Sequence, residues 1–253
     1  MVGFAGMAAA LAVALVAGTW WASRRIGEPP ALTARAVRVT ALAVLAWLAL
    51  TGGLAASGIL LDFERRMPPF LLTVGASAAL VVAFGLSPAG TRLVRGLPLA
   101  VLVGFQVFRL PLEVLMDLAY REGVMPVQMS FEGWNFDILT GASAGVVALL
   151  VARGRLSHRV VAVWNVAGLG LLANIVTIAA LSTPRFAAFG PDRLNVWIAY
   201  PPFVWLPEVM VMAALLGHVL VFRRLRGDDG FSGRGGATGR RRARAAARPP
   251  RGR

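Results

Sequence analysis

Apolar residues in this chain neither alternate nor recur along a single stripe. They come in long blocks, separated by short stretches rich in arginine, glycine and proline. A helix needs about 20 mostly apolar residues to cross a hydrocarbon core roughly 30 Å thick. Seven stretches meet or approach that length: residues 3–22, 37–61, 69–87, 97–119, 138–153, 160–181 and 199–222. The fifth is short and draws on the loop before it. The pattern predicts an all-α fold, a polytopic membrane helical bundle of about seven transmembrane helices filling residues 1–222, with a separate tail at 223–253. The first block has no basic leader, ends in Trp20 and Trp21 and is followed by Arg24 and Arg25. It therefore reads as a retained helix and not a cleaved signal.

Arginine placement orients the bundle, because short cytoplasmic loops hold the excess of positive charge. The first, third and fifth loops carry nine arginines: Arg24, Arg25, Arg35, Arg38, Arg92, Arg95, Arg153, Arg155 and Arg159. The second, fourth and sixth carry Arg65, Arg66, Arg121, Arg185 and Arg193, each loop tempered by acids such as Asp62, Glu64, Glu122 and Asp192. This predicts an N-terminus outside and a C-terminus in the cytoplasm. The tail adds eleven arginines against Asp228 and Asp229. A Gly, Ala, Pro and Arg mixture has too little apolar surface to offset the entropy of folding, so the tail is expected to be disordered. Either it is an extreme topology signal, or it is attracted to anionic lipid headgroups, with nucleic acid the less favoured partner. Tyr120, Trp134, Trp197 and Tyr200 are placed at one interface and Trp20, Trp21 and Trp164 at the other.

Composition sharpens the picture by exclusion. Of the 253 residues 57% are apolar and 15% charged, with a mean hydropathy of +0.69. Soluble domains carry roughly 25% charged residues, so a soluble fold is excluded. With no cysteine there is no disulfide, thiolate nucleophile, Cys-ligated zinc, iron–sulfur cluster or cysteine lipid anchor. All positive residues are arginine, which removes P-loop, pyridoxal phosphate and retinal Schiff-base chemistry, each of which needs a lysine amine. Heavy Ala, Arg, Gly and Val usage matches a GC-rich bacterial genome and places the chain in a bacterial cytoplasmic (inner) membrane.

The fourth block holds the main chemical signal. Gln106, Arg109, Glu113 and Asp117 follow at steps of three, four and four, which puts them on one helix face. Arg109 falls near the bilayer midplane, where a charge costs about 2.5–3.5 kcal/mol on translocon scales. It must therefore face protein or water. Glu113 stands at the i,i+4 spacing that allows pairing, and Pro111 between them is expected to kink the helix. Two readings follow. Arg109 and Glu113 neutralise one another as glue between helices, joined by Asn174, or the stripe is an outward-opening binding or ion-relay site.

The next loop adds Gln128, Ser130, Glu132, Asn135 and Asp137 among Met, Phe and Trp residues. Such apolar content predicts a lid at 124–137 folded back into the mouth of the bundle, since irregular backbone at membrane depth must be buried in protein or line water. Its acids would converge with Glu113 and Asp117. Glu113, Asp117, Glu132 and Asp137 could then hold a divalent cation through oxygen ligands, guide protons or bind a cationic solute. Alternatively, Asn135 or Asp137 simply caps the helix that follows. Glu208, after Pro207 in the last block, is a second intramembrane acid, expected in the cavity beside Arg109.

Other motifs carry less. Gly141-Ala-Ser-Ala-Gly145 matches the G-x-S-x-G string but lacks a strand-to-helix elbow, and it also matches helix packing through small residues. Its Ser143 is placed far in depth from His158 and His218, the only histidines. Those two stand at unequal depths on this reading, so haem held by both is disfavoured and no cofactor is expected. Gly168-Leu-Gly170-Leu-Leu-Ala173 inside a span is a packing face and not a nucleotide fingerprint.

The runs FRLPLEVLMDLAYREGVMPVQMSFEGWNFDILTG, WNVAGLGLLANIV and NVWIAYPPFVWLPEVMVMAALLGHVLVFRRL resemble a group of uncharacterised bacterial multi-pass membrane proteins. The likeness spans most of residues 37–225 and implies the architecture without an activity or a catalytic residue. The resulting expectation is a membrane protein that binds or transports a small solute, proton or cation through an outward-opening polar cavity. A membrane enzyme using a carboxylate-bound metal and a non-catalytic assembly or sensory module are the alternatives.

Overall fold

The computed structural model describes residues 2–227. Among these residues the fold is all helix, without strands. Six helices are long and apolar enough to cross a membrane: α1 (Val2–Arg25), α2 (Pro30–Ala56), α3 (Pro69–Leu86), α5 (Leu99–Arg121), α7 (His158–Leu181) and α8 (Leu206–Gly227). Two shorter helices complete the set, α4 (Pro88–Gly96) and the apolar α6 (Ile138–Ala152). Four of these spans, and the shorter α6, start within three residues of the hydropathy blocks, because apolar length alone marks them. The exception among the first six blocks is α2, which begins at Pro30, where a proline at the first helical position lacks only an unneeded N–H. It ends at Ala56, with Ser57 as its cap and Gly58, at a φ of 77°, turning the chain away. Residues 59–61 of the expected second span form a separate 3₁₀ turn instead.

The helix α4 was not expected. Ser87 caps it, its hydroxyl accepting from Ala89 and Gly90 N–H at 3.2 and 3.4 Å, with Pro88 at the first position. Leu93 and Val94 are buried, and Arg92 binds both carboxylate oxygens of Glu28 at 2.9 and 3.0 Å. At Gly96 an added Cβ would collide with the Ala22 backbone, so glycine is what lets α4 approach α1. Arg223 donates to the Gly85 carbonyl and, at 2.7 Å, to the Thr91 hydroxyl. The end of α3 and the helix α4 are thereby tied to the arginine-bearing end of α8.

Proline shapes the two helices that carry the polar groups. Pro111 has no N–H to give its own helix, and just before it α5 tightens into a 3₁₀ stretch at Phe105–Phe108, then resumes α geometry at Arg109. The last span does not begin at residue 199: Trp197–Ala199 is a 3₁₀ turn, residues 201–204 form a further turn, and α8 opens with a π-turn at Leu206–Val211. It continues to Gly227, beyond the expected boundary at 222, since the stems of Arg223 and Arg224 extend the helix while their heads reach polar partners on α3 and α4. The remainder of the arginine-rich tail, 228–253, lies outside the described residues.

Candidate functional site

The polar stripe of α5 points into the bundle. Gln106, Arg109 and Glu113 are buried at 0%, 1% and 6% exposure, which for a guanidinium demands partners. The expected pairing of Arg109 with Glu113 is not formed. Arg109 Nη1 instead donates to Asp137 Oδ1 at 2.8 Å, and Nη2 lies 3.2 Å from His218 Nε2. Glu113 accepts from Asn135 Nδ2 at 3.0 Å to each carboxylate oxygen. The i,i+4 rule describes a helix surface in water. Here a second segment supplies both an acid and an amide, and each α5 residue takes a partner from it.

That segment runs from 122 to 137 and is packed into the bundle. Met125, Gln128, Met129, Ser130, Asn135 and Asp137 are buried, whereas Phe131, Glu132 and Trp134 face out. Gln128 Nε2 donates to Ser182 Oγ at 2.9 Å and to the Arg193 carbonyl at 2.8 Å, fastening the segment to the end of α7 and to the following loop. Asn174 donates to the Trp134 carbonyl at 2.9 Å and so takes no part in the Arg109 pair. Asn135 Oδ1 accepts the Asp137 N–H at 3.1 Å. Asp137 occupies the cap position of α6 but gives no side-chain cap, its carboxylate being turned to Arg109.

His218 is the member that sequence reasoning missed. Because α8 starts late and ends late, this residue sits midway along the helix and not near its end, at 0% exposure. Arginine can only donate, so Nε2 must accept and the imidazole proton resides on Nδ1. Asn165 Oδ1 receives it at 2.8 Å, and Asn165 Nδ2 donates to the His218 carbonyl at 3.1 Å. The chain Asn165, His218, Arg109, Asp137 thus links α7, α8, α5 and the start of α6. Glycines give it room: a Cβ at Gly168 would lie 2.9 Å from His218 Cε1, and one at Gly141 would lie 3.0 Å from Arg109 Cβ. Both belong to strings that mimic enzyme motifs. Ser143 of the first accepts from Trp164 Nε1 at 2.9 Å and donates to the Leu139 carbonyl at 2.7 Å, with no histidine among these partners.

A cavity of about 80 Å³ adjoins this network, its polar wall formed by Arg109, Glu113, Asn135 and Asp137 and the remainder by apolar side chains such as Phe108, Met129, Leu172 and Met210. Two expected members are elsewhere. Asp117 binds Arg121 Nε at 2.7 Å on the exposed end of α5, and Glu132 is exposed on the outer side of the segment. The four carboxylates therefore do not converge. Among the described residues no group of three or more His, Asp or Glu side chains is gathered for a metal ion. Glu208 also stands apart, lining a different cavity, with Ser77 Oγ donating to its Oε2 and Trp47 Nε1 to its backbone carbonyl at 3.0 Å. A late helix start puts it on the first turn of α8, away from the level of Arg109.

No protein-family model matches the chain, and neither a curated protein nor a solved structure matches it. None of these comparisons supports the expected likeness to uncharacterised bacterial membrane proteins.

Proposed function

We propose that the chain is a seven-helix protein of the bacterial cytoplasmic membrane that binds, and moves, a proton or small cation at the Arg109 network. The N-terminus is outside, and the ends of α1, α3, α6 and α8, which bear or lead into the arginines, face the cytoplasm by the positive-inside rule. The 15-residue α6 is the seventh crossing. Its shortness is made up by residues 135–137, whose backbone is shielded by protein. The cavity at Glu113 opens toward the outside, and the basic tail meets anionic headgroups of the inner leaflet.

One observation carries the reading. A single guanidinium, Arg109, is buried with two carboxyl groups, Asp137 and Glu113, beside a cavity, and the neighbouring His218 accepts from Arg109 as a neutral ring. The network is short of one positive charge. Uncompensated charge is expensive away from water, and a proton or small cation at Glu113 completes the balance. Glu113 is the suitable carrier, because Asp137 is held by Arg109 whereas Glu113 has only an amide.

The test is proton flux in proteoliposomes loaded with a pH-reporting dye, under an imposed potassium diffusion potential. Wild-type protein should carry current and Glu113→Gln should not, with equal yield and equal Tm. Flux in the variant equal to wild type, or wild-type flux no greater than that of empty vesicles with either protons or sodium as the driven ion, would remove the reading.

A further inference from the structure

On the opposite face of α8, between α1, α2, α3 and α5, lies a chamber of about 970 Å³, more than ten times the volume beside Arg109. That is at the upper end of the roughly 300–1,000 Å³ range of sites for small organic ligands. Its wall is nearly all hydrocarbon, and Glu208 is the one ionisable group among the described residues that line it. Glu208 is 1% exposed. Its Oε2 accepts from Ser77 and its backbone carbonyl from Trp47, but Oε1 has no partner. An unmatched buried acceptor is costly, and the position of this one on the chamber wall calls for a donor inside the chamber.

The chamber also has a door. Trp20 and Leu80 line it and are nonetheless 54% and 57% exposed, so it opens sideways on the apolar flank of the bundle. The helix α2, which supplies Thr40, Val44 and Trp47 to the chamber, is the least buried of the six spans. A ligand arriving there comes from the lipid phase. Its body must be apolar to match the wall, and its head must donate to one acceptor. With no cation beside it among the described residues, Glu208 is balanced as the neutral acid, so an ammonium would bring a charge without a counter-charge and three donors for one free acceptor, whereas a hydroxyl brings one donor.

We infer that this chamber binds an uncharged long-chain amphiphile with a hydroxyl head, drawn from the bilayer, its O–H donating to Glu208 Oε1 and its chain lying toward Trp20 and Trp21. This site is separate from the Arg109 network, and the inference does not depend on ion movement there.

Tryptophan fluorescence tests it directly, because Trp20, Trp21 and Trp47 line the chamber and bromine on a bound chain quenches them at short range. Full-length protein in lipid nanodiscs is titrated with ω-brominated dodecanol, with the brominated alkane and with the brominated alkylamine. The alcohol should quench saturably, and the other two should show only the linear loss expected of partition into lipid. Glu208→Leu should weaken the alcohol by about tenfold, the size of one buried hydrogen bond. Gly18→Phe should abolish saturation: a Cβ at Gly18 meets nothing nearer than Leu97 Cδ1 at 4.0 Å, so the ring enters the chamber and not the backbone. Ala213→Phe blocks the same space should the first variant fail to fold. Saturable quenching by the alkane equal to that of the alcohol, preference for the amine, or unchanged saturation in both blocked variants would overturn the assignment.

Discussion

Arg109 Nη2 meets His218 Nε2 at 3.2 Å across the interface of α5 and α8. Since the guanidinium has no lone pair to offer, this single approach fixes the tautomer of a histidine that the sequence places 109 positions away. It also makes the histidine a relay of orientation: what Arg109 does is felt at Asn165 on α7.

The first prediction concerns the ion pair. Arg109→Leu and Asp137→Leu should each destabilise by roughly 3–5 kcal/mol, since each leaves a buried charge without its partner, and the double substitution should recover most of the loss. Thermal unfolding in detergent measures the cycle. Glu113→Leu combined with Arg109→Leu should show much weaker recovery, because those two side chains do not pair.

The tautomer can be read spectroscopically. In nitrogen-15 spectra of histidine-labelled protein, which has two histidines, the buried ring should appear neutral with its proton on Nδ1. Asn165→Leu removes the acceptor of that proton and should cost about 1–3 kcal/mol. A proton on Nε2 in the wild type would contradict the network as described.

Glycine positions offer a steric contrast. Gly168→Ala sets a methyl 2.9 Å from both His218 Cε1 and Thr140 Cγ2 and should destabilise by roughly 1–3 kcal/mol, the usual penalty of overpacking. Gly170→Ala on the same helix meets nothing within 4 Å and should be neutral or slightly stabilising. Denaturation midpoints of the two variants decide the point.

Gln128 is the fastener of the 122–137 segment. Gln128→Leu loses both its bonds and leaves the Arg193 carbonyl and Ser182 hydroxyl short of a donor, with an expected cost of about 1–3 kcal/mol. Hydrogen exchange should rise in residues 122–137 well before it rises in α7. Uniform acceleration across the bundle would show that the segment has no independent opening.

Topology is open to a clean assay because the chain has no cysteine. Glu122→Cys should react with a membrane-impermeant maleimide in intact cells, and Gly154→Cys should react only after permeabilisation. The reverse pattern would invert the proposed orientation.

Much of the bundle was legible because hydropathy reports length. Residues 69–86 and 158–181 are apolar over a span's worth of chain, and nothing subtler is needed to find them. The ends of α8 were less so. Prolines at 201, 202 and 207 delay its start, and two arginines with aliphatic stems prolong it, both invisible to an average over apolar side chains. That shift of register concealed His218, which at its expected depth could not have met Arg109. The stripe on α5 was visible as a spacing, and its partners were not: Asp137 and Asn135 come from an irregular segment whose path is set by Gln128 reaching Ser182 and Arg193, a contact no local pattern encodes. The helix α4 was hidden for the opposite reason, being too short and too polar to register as anything but a loop.

The π-turn at Leu206–Val211 sits where α8 divides the two cavities, with Pro207, Met210 and Val211 toward one and Glu208, Val209 and Met212 toward the other. A π-turn carries one residue more than the α-turn it replaces, and each residue turns the helix by about 100°. The extra residue works as a phase setting. Were the turn to relax to α geometry, everything before it would revolve relative to His218, and Glu208 would swing out of the apolar chamber. A single inserted residue therefore keeps the carboxyl group on the chamber wall and the imidazole that faces Arg109 in step on one shaft.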